Sequence, residues 1–280
     1  MAADFDVVHA QYGSACALAT AGVGAVPTVL SVRGNDWNVH HDRLTFHYFH
    51  TRLARTMTRM AIGRFDCVLA VSRRMADELG RFAPDAHLDM VPSPIDLDRF
   101  VPMDRAQARA QLGETEREEK WVLFNSLRLD DPIKRYGLAK EAFDIANARR
   151  GDLRLRIAND LPHDMMPLFA AACDVILCTS ETEGWPNSVK EALACNVPFV
   201  STDVSDLRDI ATLEPSCRVC APDPVSLANG LCAALDAGGT PNLRQYVRDM
   251  NLGASSDRLI QIYEMLVARR RVAPVHTKRG

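Results

Sequence analysis

Residues 173–201 read CDVILCTSETEGWPNSVKEALACNVPFVS. The apolar run at 174–179 predicts a strand, and the polar, glycine-containing run at 180–187 predicts a loop. A helix is predicted at 188–195 and a second strand at 197–201. A strand, a loop, a helix and a strand in this order form one β-α-β unit of a parallel sheet. This stretch therefore predicts an α/β fold.

The same alternation continues in both directions along the chain. Further strands are predicted at residues 6–9, 28–32, 67–72, 121–125, 153–158 and 218–221, and helices at 43–63, 73–81, 137–149, 165–173, 224–237 and 255–270. Near-continuous apolar strands separated by helices are typical of parallel sheets covered on both faces. A linker near residues 101–104, with one short helix between it and residue 113, predicts one domain at 1–102, a second at 103–253, and a helix within 254–271 that could pack back on the first.

Composition restricts the class of protein. The chain has 280 residues, of which 47% are hydrophobic, and a formal net charge of −3. This suffices for one large or two small cores and gives no sign of a nucleic-acid partner. We find neither a signal-peptide pattern nor an apolar run of about 18 residues that would span a membrane. The eight cysteines lie mostly in apolar runs, which favours reduced thiols in a cytoplasmic protein.

Two short patterns resemble metal motifs, and neither is convincing. Cys217 and Cys220 form a single CxxC without a second pair or a histidine pair at zinc spacing. Asp96 and Asp98 form a DxD, but it lies outside any predicted nucleotide-binding loop. We therefore expect no metal and no bound cofactor.

The loop at 180–187 has features that suit a diphosphate. It follows the carboxyl end of a parallel strand, where open α/β sheets bind ligands. The next helix directs its unpaired N–H groups and partial positive charge at the same crevice. Gly184 lets the backbone approach closely, and Pro186 suits the entry to a helix. Asn187 or Ser188 is expected to cap that helix.

Two carboxylates, Glu183 and Glu191, flank this loop. Carboxylates accept pairs of hydrogen bonds from vicinal hydroxyls, which ribose and hexoses both present. The alternative is that both are solvated glutamates on a helix rim. The surrounding segment 183–198, EGWPNSVKEALACNVP, resembles the E-x7-E signature of the family 4 retaining glycosyltransferases. It most resembles bacterial members that build cell-surface polysaccharides.

Other segments resemble the same family in the expected order. They are DVVHAQ at 6–11, SVRGND at 31–36, DCVLAVS at 66–72 and VPSPID at 91–96, followed by the R-x5-K pair Arg128 and Lys134. The resemblance covers about residues 6–267. It implies the GT-B fold, in which two Rossmann-like domains face each other across a cleft and the C-terminal domain binds the nucleotide-sugar donor.

The resemblance also implies roles for individual residues. Arg128, Lys134 and Glu183 are the expected catalytic residues, the two cations neutralising the diphosphate while Glu183 contacts sugar hydroxyls. A solvated loop pair is the alternative for the cations. Glu191 is expected to bind the ribose. The remaining expected donor-binding residues are Gly184, Trp185, Pro186, Asn187 and Ser188. Charge grows on the leaving diphosphate as the glycosidic bond breaks, and fixed cations stabilise that charge without a metal.

The function that the resemblance implies is retaining hexosyl transfer from a UDP- or GDP-linked sugar to a glycan or lipid-linked acceptor. His9 ends one predicted strand and Arg33 directly follows another, and these two residues are the acceptor-side candidates. Family members usually carry further residues before the DVVHAH-like strand, so we expect an incomplete N-terminal domain. That expectation keeps a non-catalytic nucleotide-sugar-binding protein open as an alternative. A UDP-sugar epimerase on the same fold is a third possibility.

A basic segment suggests one more partner. Arg52, Arg55 and Arg59 recur at i, i+3 and i+7, so they share one face of a predicted helix. Such a face suits contact with an anionic membrane surface or a lipid-phosphate acceptor, at the cytoplasmic side of the membrane. The alternative is an ordinary solvated helix face.

Overall fold

The computed structural model describes residues 5–40, 46–114, 118–238 and 242–272. The chain forms two compact units. Unit 1 comprises Met1–Ser93 and Gly253–Gly280, and unit 2 comprises Pro94–Leu252. Each unit is an α/β structure with its own parallel sheet. No helix within the described ranges is long and apolar enough to span a bilayer.

The sheet of unit 1 consists of β1 (Val8–Ala10), β2 (Thr28–Val32), β3 (Cys67–Ala70) and β4 (Leu88–Met90). The strands lie in the order β1-β2-β3-β4, and each neighbouring pair is parallel. The connecting helices are α1 (Ser14–Thr20), α2 (Phe46–Ala61) and α3 (Arg73–Phe82). Side chains of β2 alternate between two cores, because successive residues of a strand point to opposite faces. Leu30 packs toward Met75 and Leu79 of α3, whereas Val29 packs in the opposite core.

The first helix of unit 2 is α4 (Arg105–Gln111), and the unit contains a five-stranded sheet. The strands are β5 (Lys120–Asn125), β6 (Leu153–Ala158), β7 (Val175–Cys178), β8 (Phe199–Thr202) and β9 (Arg218–Cys220). The helices are α5 (Tyr136–Arg150), α6 (Met166–Ala171), α7 (Asn187–Ala194), α8 (Leu207–Leu213) and α9 (Pro224–Asp236). The order is β6-β5-β7-β8-β9, with all neighbours parallel. One core packs α6 and α7 on the sheet, and the other packs α5 and α9 on its opposite face.

The last helix, α10 (Leu252–Val272), packs in unit 1. Its buried residues Ile262 and Leu266 contact the face of the unit 1 sheet that carries Val29 and Leu69. The two units meet in sequence at Ser93 and Pro94, ahead of the boundary we expected after residue 102. The reason is that Ile95 and Phe100 are buried in a unit 2 core, and the Ile95 N–H donates to the Met250 carbonyl at 2.8 Å.

Most predicted elements are present, with ends shifted by a few residues. The helix predicted at 43–63 is α2, which ends at Ala61 and continues as a 3-10 turn, and residues 43–45 lie outside the described ranges. The helix predicted at 165–173 is shorter, because residues His163–Met165 form a 3-10 turn before α6. Three described elements were not predicted: α1, β4 and α8. Each has seven residues or fewer, and β4 is only partly buried, so none carries a clear apolar period.

Candidate functional site

The order of the unit 2 strands creates a topological switch point. From β5 the chain passes through α5 to β6 on one side of β5, and it then returns to β7 on the other side. The loops after β5 and β7 therefore leave the carboxyl ends of adjacent parallel strands in opposite directions. In open α/β sheets this is where ligands bind. Arg128 and Lys134 lie on the loop after β5, and Glu183 lies on the loop after β7.

Hydrogen bonds join these two loops. The Thr179 hydroxyl donates to the Lys134 carbonyl at 2.7 Å, and the Arg135 side chain donates to the carbonyls of Thr179 and Ser180 at 2.7 and 3.0 Å. The Glu181 N–H donates to the Ile133 carbonyl at 2.8 Å. Arg135 has a φ of 52°, in the left-handed region, at the start of α5. These contacts fix the position of Lys134 relative to the loop that carries Glu183.

The structure brings together Lys134 and Glu183, which are 49 residues apart in sequence. Lys134 Nζ donates to Glu183 Oε1 at 2.6 Å, and the Ser180 hydroxyl donates to the same oxygen at 2.8 Å. Burial is the largest single influence and lowers the pKa of Lys134, but the charge and hydrogen bond of Glu183, together with weaker neighbouring charges, hold the pKa above its ordinary value. Lys134 is therefore a fixed cation at the switch point over the physiological pH range.

Arg128 has a different environment from Lys134. Its side chain is 74% exposed and donates to both carboxylate oxygens of Asp130, at 3.0 and 2.8 Å. The hydrogen bond to Asp130 raises the pKa of Arg128 above its ordinary value. The expected pair is thus divided in this structure, because Arg128 pairs with Asp130 while Lys134 pairs with Glu183.

The loop after β7 is held from a second side by β8 and the turn that follows it. The Thr202 hydroxyl donates to the Ser180 carbonyl at 2.6 Å, and the Ser205 hydroxyl donates to the Gly184 carbonyl at 2.7 Å. Gly184, Trp185 and Pro186 are buried, and the Trp185 ring belongs to a unit 2 core. At this part of the loop the Trp185 ring therefore packs into the core and is not exposed to a ligand.

The N-terminus of α7 differs from our expectation. Neither Asn187 nor Ser188 caps it: Pro186 occupies the N-cap position, and no side chain accepts a hydrogen bond there. Asn187 is instead the first residue of the helix and is exposed. The cause is the extended conformation of Pro186, whose ψ of 113° ends the loop one residue earlier than we predicted. Without a capping side chain, the first N–H groups of α7 can bind an anion.

Glu191 lies further along α7 and is partly buried. Burial raises its pKa to about 7, although the neighbouring Lys190 acts in the opposite direction. Lys190 is only 1% exposed, and its Nζ lies 5.8 Å from the centroid of the Trp185 ring. Burial therefore opposes the ionisation of Glu191 in the ligand-free fold.

The acceptor-side candidates of unit 1 form a separate polar cluster. His9 hydrogen-bonds through Nε2 to the Ser31 hydroxyl at 2.8 Å and through Nδ1 to the Tyr263 hydroxyl at 2.6 Å. Burial, and then the charge of Arg33, lowers the pKa of His9 to about 4, so this imidazole is neutral at physiological pH. Arg33 donates to the Gln11 carbonyl at 3.2 Å.

His9 lines a cavity of about 810 Å³ within unit 1. The other lining residues are Asp6, Val7, Tyr263, Glu264, Val267, Ala268 and Arg271. The buried Asp36 carboxylate accepts from the N–H groups of Arg33 and Gly34 at 2.9 and 2.7 Å, which fixes the turn that carries Arg33. Tyr263 was not among our site residues, because it reaches His9 from α10, 254 residues away in sequence.

The DxD pattern contains a local turn, and the two cysteines of the CxxC pattern are free thiols. Asp96 accepts from the backbone N–H groups of Asp98 and Arg99, both at 3.1 Å, in a local turn. Cys217 is buried, and Cys220, also a free thiol, is only partly buried. Among the described residues, no group of three or more His, Cys, Asp and Glu side chains could hold a metal ion.

Sequence reasoning missed several residues that shape the loop after β7. They are Thr179, Ser180, Arg135, Thr202 and Ser205. The available signal was position: Thr179 ends one predicted strand, and Ser180 and Thr202 directly follow predicted strands at the carboxyl edge of a parallel sheet. Ser205 gave no such signal, because it lies in the loop before α8, which was not predicted. Arg135 gave no separate signal, because it directly follows Lys134 and the two form one basic pair.

Both halves of the chain match family models. Residues 1–99 match the model described as Glycosyltransferase Family 4, and residues 137–237 match the model described as Glycosyl transferases group 1. Among curated proteins, the chain is 25% identical over 227 residues to TuaC of Bacillus subtilis, whose name assigns it to teichuronic acid biosynthesis as a glycosyltransferase. This match covers 73% of the chain and 55% of TuaC, so the chain spans little more than half of that relative.

Solved structures share the fold at low sequence identity. Sucrose-phosphate synthase from Thermosynechococcus elongatus has a TM-score of 0.77 and 18% identity, and the match covers 95% of this chain and 75% of that one. Anabaena HepE in complex with UDP has a TM-score of 0.68 and 15% identity, with 94% and 79% covered. HepE has also been solved with UDP-glucose, with a TM-score of 0.65. At these identities the likeness establishes the fold.

Proposed function

We propose a function on the premise that the chain belongs to the family 4-like glycosyltransferases and has their GT-B fold of two Rossmann-like domains. In this function the protein transfers a hexosyl group from a UDP- or GDP-linked sugar to a glycan or lipid-linked acceptor, with retention of configuration. The name of its relative TuaC supports a place in the synthesis of a surface polysaccharide. The proposed site of action is the cytoplasmic side of the membrane.

The observation that carries the proposal is the group of charges at the switch point of unit 2. Lys134 and Glu183 lie 2.6 Å apart on loops from adjacent strands, and the uncapped N-terminus of α7 follows Glu183 in the same loop. A nucleoside diphosphate carries the negative charge that a fixed lysine and free N–H groups accept. The UDP and UDP-glucose complexes of HepE, which shares the fold, support a nucleotide-sugar ligand.

In the proposed mechanism Lys134 contacts the diphosphate and Glu183 accepts hydrogen bonds from sugar hydroxyls. The amides after Glu183 and the N-terminus of α7 hold the distal phosphate. As the bond to the anomeric carbon breaks, charge grows on the leaving diphosphate. Lys134 and the α7 N–H groups stabilise this charge without reorganising, because the hydrogen bonds around them already fix their positions. We propose that the transfer needs no metal.

Glu191 and Arg128 have supporting roles in this proposal. The Glu191 carboxylate accepts from the ribose hydroxyls, and Arg128 exchanges Asp130 for the diphosphate when the donor binds. Arg128 is exposed and its partner is only two residues away, so this exchange breaks a solvated ion pair that contributes little to stability. His9 and Arg33 are proposed to contact the acceptor, with His9 as a neutral hydrogen-bonding group.

Replacing Lys134 tests the donor site. We expect Lys134→Ala to weaken the binding of a nucleotide sugar by about 10- to 100-fold, the scale of one hydrogen bond to a charged group. Isothermal titration calorimetry with UDP-glucose and with a GDP-hexose gives the affinities and identifies the preferred base. Lys140→Ala is the matched control, because Lys140 is an exposed lysine of α5 that pairs with Asp144.

Equal affinities of Lys134→Ala and wild type would contradict the proposed site. Binding without consumption of a radiolabelled donor, in the presence of membrane-extracted acceptors, would instead favour a nucleotide-sugar-binding protein. Conversion of the donor sugar to another isomer without any acceptor would identify an epimerase. The anomeric configuration of a transferred sugar, read by NMR, tests retention.

A further inference from the structure

Helix α2 has its large apolar side chains on the outside. The residues that it buries against unit 1 are small, namely Thr51, Ala54, Thr58 and Ala61, each at most 3% exposed. Phe46, Phe49, Leu53 and Met60 are 79%, 62%, 57% and 65% exposed. A surface helix of a soluble domain normally has the reverse arrangement, with its apolar stripe facing the core. The outer face of α2 therefore has a composition that packing within unit 1 does not explain.

The exposed apolar residues form one stripe. At about 3.6 residues per turn, Phe49, Leu53 and Met60 lie within about 40° of one another around the helix axis, and Phe46 lies beside them. We call this surface, made of Phe46, Phe49, Leu53 and Met60, the α2 apolar stripe. Contiguous exposed apolar surface of this kind marks a site of contact with a protein, a ligand or a membrane.

Positive charge borders the stripe. Residues 46–65, which comprise α2, the 3-10 turn Ile62–Arg64 and one further residue, contain four arginines and no acidic residue. Arg52 and Arg59 are exposed on one flank of the stripe. Arg52 donates to the Tyr48 hydroxyl at 2.6 Å, and the Arg59 guanidinium lies 4.1 Å from the centroid of the Phe82 ring. These aromatic contacts hold both guanidinium groups beside the stripe.

The structure changes the assignment of the arginine face that the sequence suggested. The Arg55 guanidinium lies 5.1 Å from the centroid of the buried Trp37 ring, and Arg55 is only partly exposed. Arg55 therefore helps to attach α2 to unit 1. Arg52 and Arg59 remain as the outward charges on one flank of the α2 apolar stripe, and the apolar residues make up the larger part of this outer face.

We propose that the α2 apolar stripe lies in the interface of an anionic lipid bilayer, with Arg52 and Arg59 at the level of the phosphate head groups. An interfacial helix combines an apolar face that enters the head-group boundary with arginines that bind anionic lipids. A bilayer is favoured over a protein partner because every charged residue of α2 is an arginine, which complements a uniformly anionic surface. This surface lies in unit 1, so the proposal does not depend on the donor site of unit 2.

Vesicle binding tests the proposal with the full chain. We expect the protein to co-sediment with vesicles made of equal parts phosphatidylcholine and phosphatidylglycerol, and much less with phosphatidylcholine alone. The double variant Phe49→Ser/Leu53→Ser should lose at least about tenfold in partitioning, because each replacement removes an apolar side chain from the interface. The variant Arg52→Gln/Arg59→Gln should lose about fivefold per arginine on the acidic vesicles.

Two matched controls separate the stripe from general surface apolarity. Ile260→Ser changes an exposed residue of α10 in the same unit, and Leu213→Ser changes one of α8 in unit 2. Both should bind acidic vesicles like wild type. Because Phe49 and Leu53 are exposed, their double variant should keep wild-type circular dichroism, so a loss of binding reports the surface and not unfolding.

Undiminished binding of Phe49→Ser/Leu53→Ser to acidic vesicles would overturn the proposal. So would equal binding of the wild type to neutral and acidic vesicles. Analytical ultracentrifugation without lipid tests whether a second copy of the chain covers the stripe instead. A wild-type dimer that becomes a monomer in the double variant would assign the stripe to a second copy of the chain and overturn the bilayer assignment, whereas a monomer in both is the expected result.

Discussion

The Glu191 carboxylate lies in an environment that opposes its negative charge. Burial raises its pKa to about 7, above the ordinary value of 4.5. Between these two values the folded protein holds a proton that the unfolded chain has released. The free energy of unfolding must therefore fall as the pH rises through this window. The ionised Glu191 carboxylate therefore lowers the stability of the fold at neutral pH.

Replacing Glu191 by Gln tests this linkage. The variant should lose the fall in stability between about pH 5 and about pH 8, and at about pH 8 it should be more stable than wild type by up to about 3 kcal/mol. Denaturant titrations at both pH values measure this difference. Glu141→Gln, at an exposed glutamate of α5, should leave the pH profile unchanged. An unchanged profile for Glu191→Gln would mean that the carboxylate is solvated.

At the scale of elements, Arg244 connects three segments of unit 2. It donates to the Ala194 carbonyl at the end of α7, to the Leu97 carbonyl and to the Phe100 carbonyl. The Arg244 N–H donates to the Asn196 side chain at 3.0 Å, and Asn196 has a φ of 59°. The carbonyl end of α7 is thus bound to a cation while its N-terminus stays open. The two ends of α7 therefore differ, because a side chain binds the carbonyl end and none caps the N-terminus.

Two glycines in helices should respond in opposite ways to alanine. A Cβ at Gly230 of α9 would lie 2.5 Å from Cys220 Sγ and 3.1 Å from Val200 Cγ1, whereas a Cβ at Gly137 of α5 would meet no atom within 4 Å. Gly230→Ala should destabilise unit 2 by about 1–3 kcal/mol through overpacking. Gly137→Ala should stabilise it by about 0.5–1 kcal/mol through lower chain entropy.

Urea unfolding of both variants measures this contrast. The two substitutions add the same methyl group to helices that pack on the same face of the sheet, so each serves as the control for the other. A stabilising Gly230→Ala would contradict the close packing of α9 on β8 and β9.

At the scale of the whole molecule, the chain returns to unit 1 after it has completed unit 2. Helix α10 packs Ile262 and Leu266 on β2 and β3, so the first and last parts of the chain share one core. Tyr263 of the same helix binds His9. The positions of the acceptor-side candidates therefore depend on a segment that follows unit 2 in sequence.

Ile262→Ala should loosen unit 1 and leave unit 2 intact. Ile262 is 1% exposed, and its truncation should cost about 2–5 kcal/mol. Hydrogen exchange measured by mass spectrometry should show faster exchange in peptides of β1 to β4 and unchanged exchange in peptides of β5 to β9. Ile260→Ala, at a residue of the same helix that is 51% exposed, is the control. Faster exchange in both units would contradict two separate cores.

The sequence predicted the class of fold because period and composition are local properties. Runs such as Val175–Cys178 are apolar throughout, since both of their faces are covered, and a helical segment follows each of them. The segment 183–198 indicated the family from the sequence alone. The elements α1, β4 and α8 escaped prediction, because α1 and α8 are only two helical turns long with few buried residues, and β4 is a three-residue strand that is not fully buried.

Tertiary structure alone decided which of these residues meet. The pairing of Lys134 with Glu183, the separation of Arg128 from both and the contact of Tyr263 with His9 depend on strand order and on the return of α10. The outward turn of the α2 apolar stripe was equally hidden, since the sequence shows an amphipathic helix but not which face the domain covers. Local sequence determines periodicity, whereas long-range packing determines which side chains share a site and which face is left to a partner.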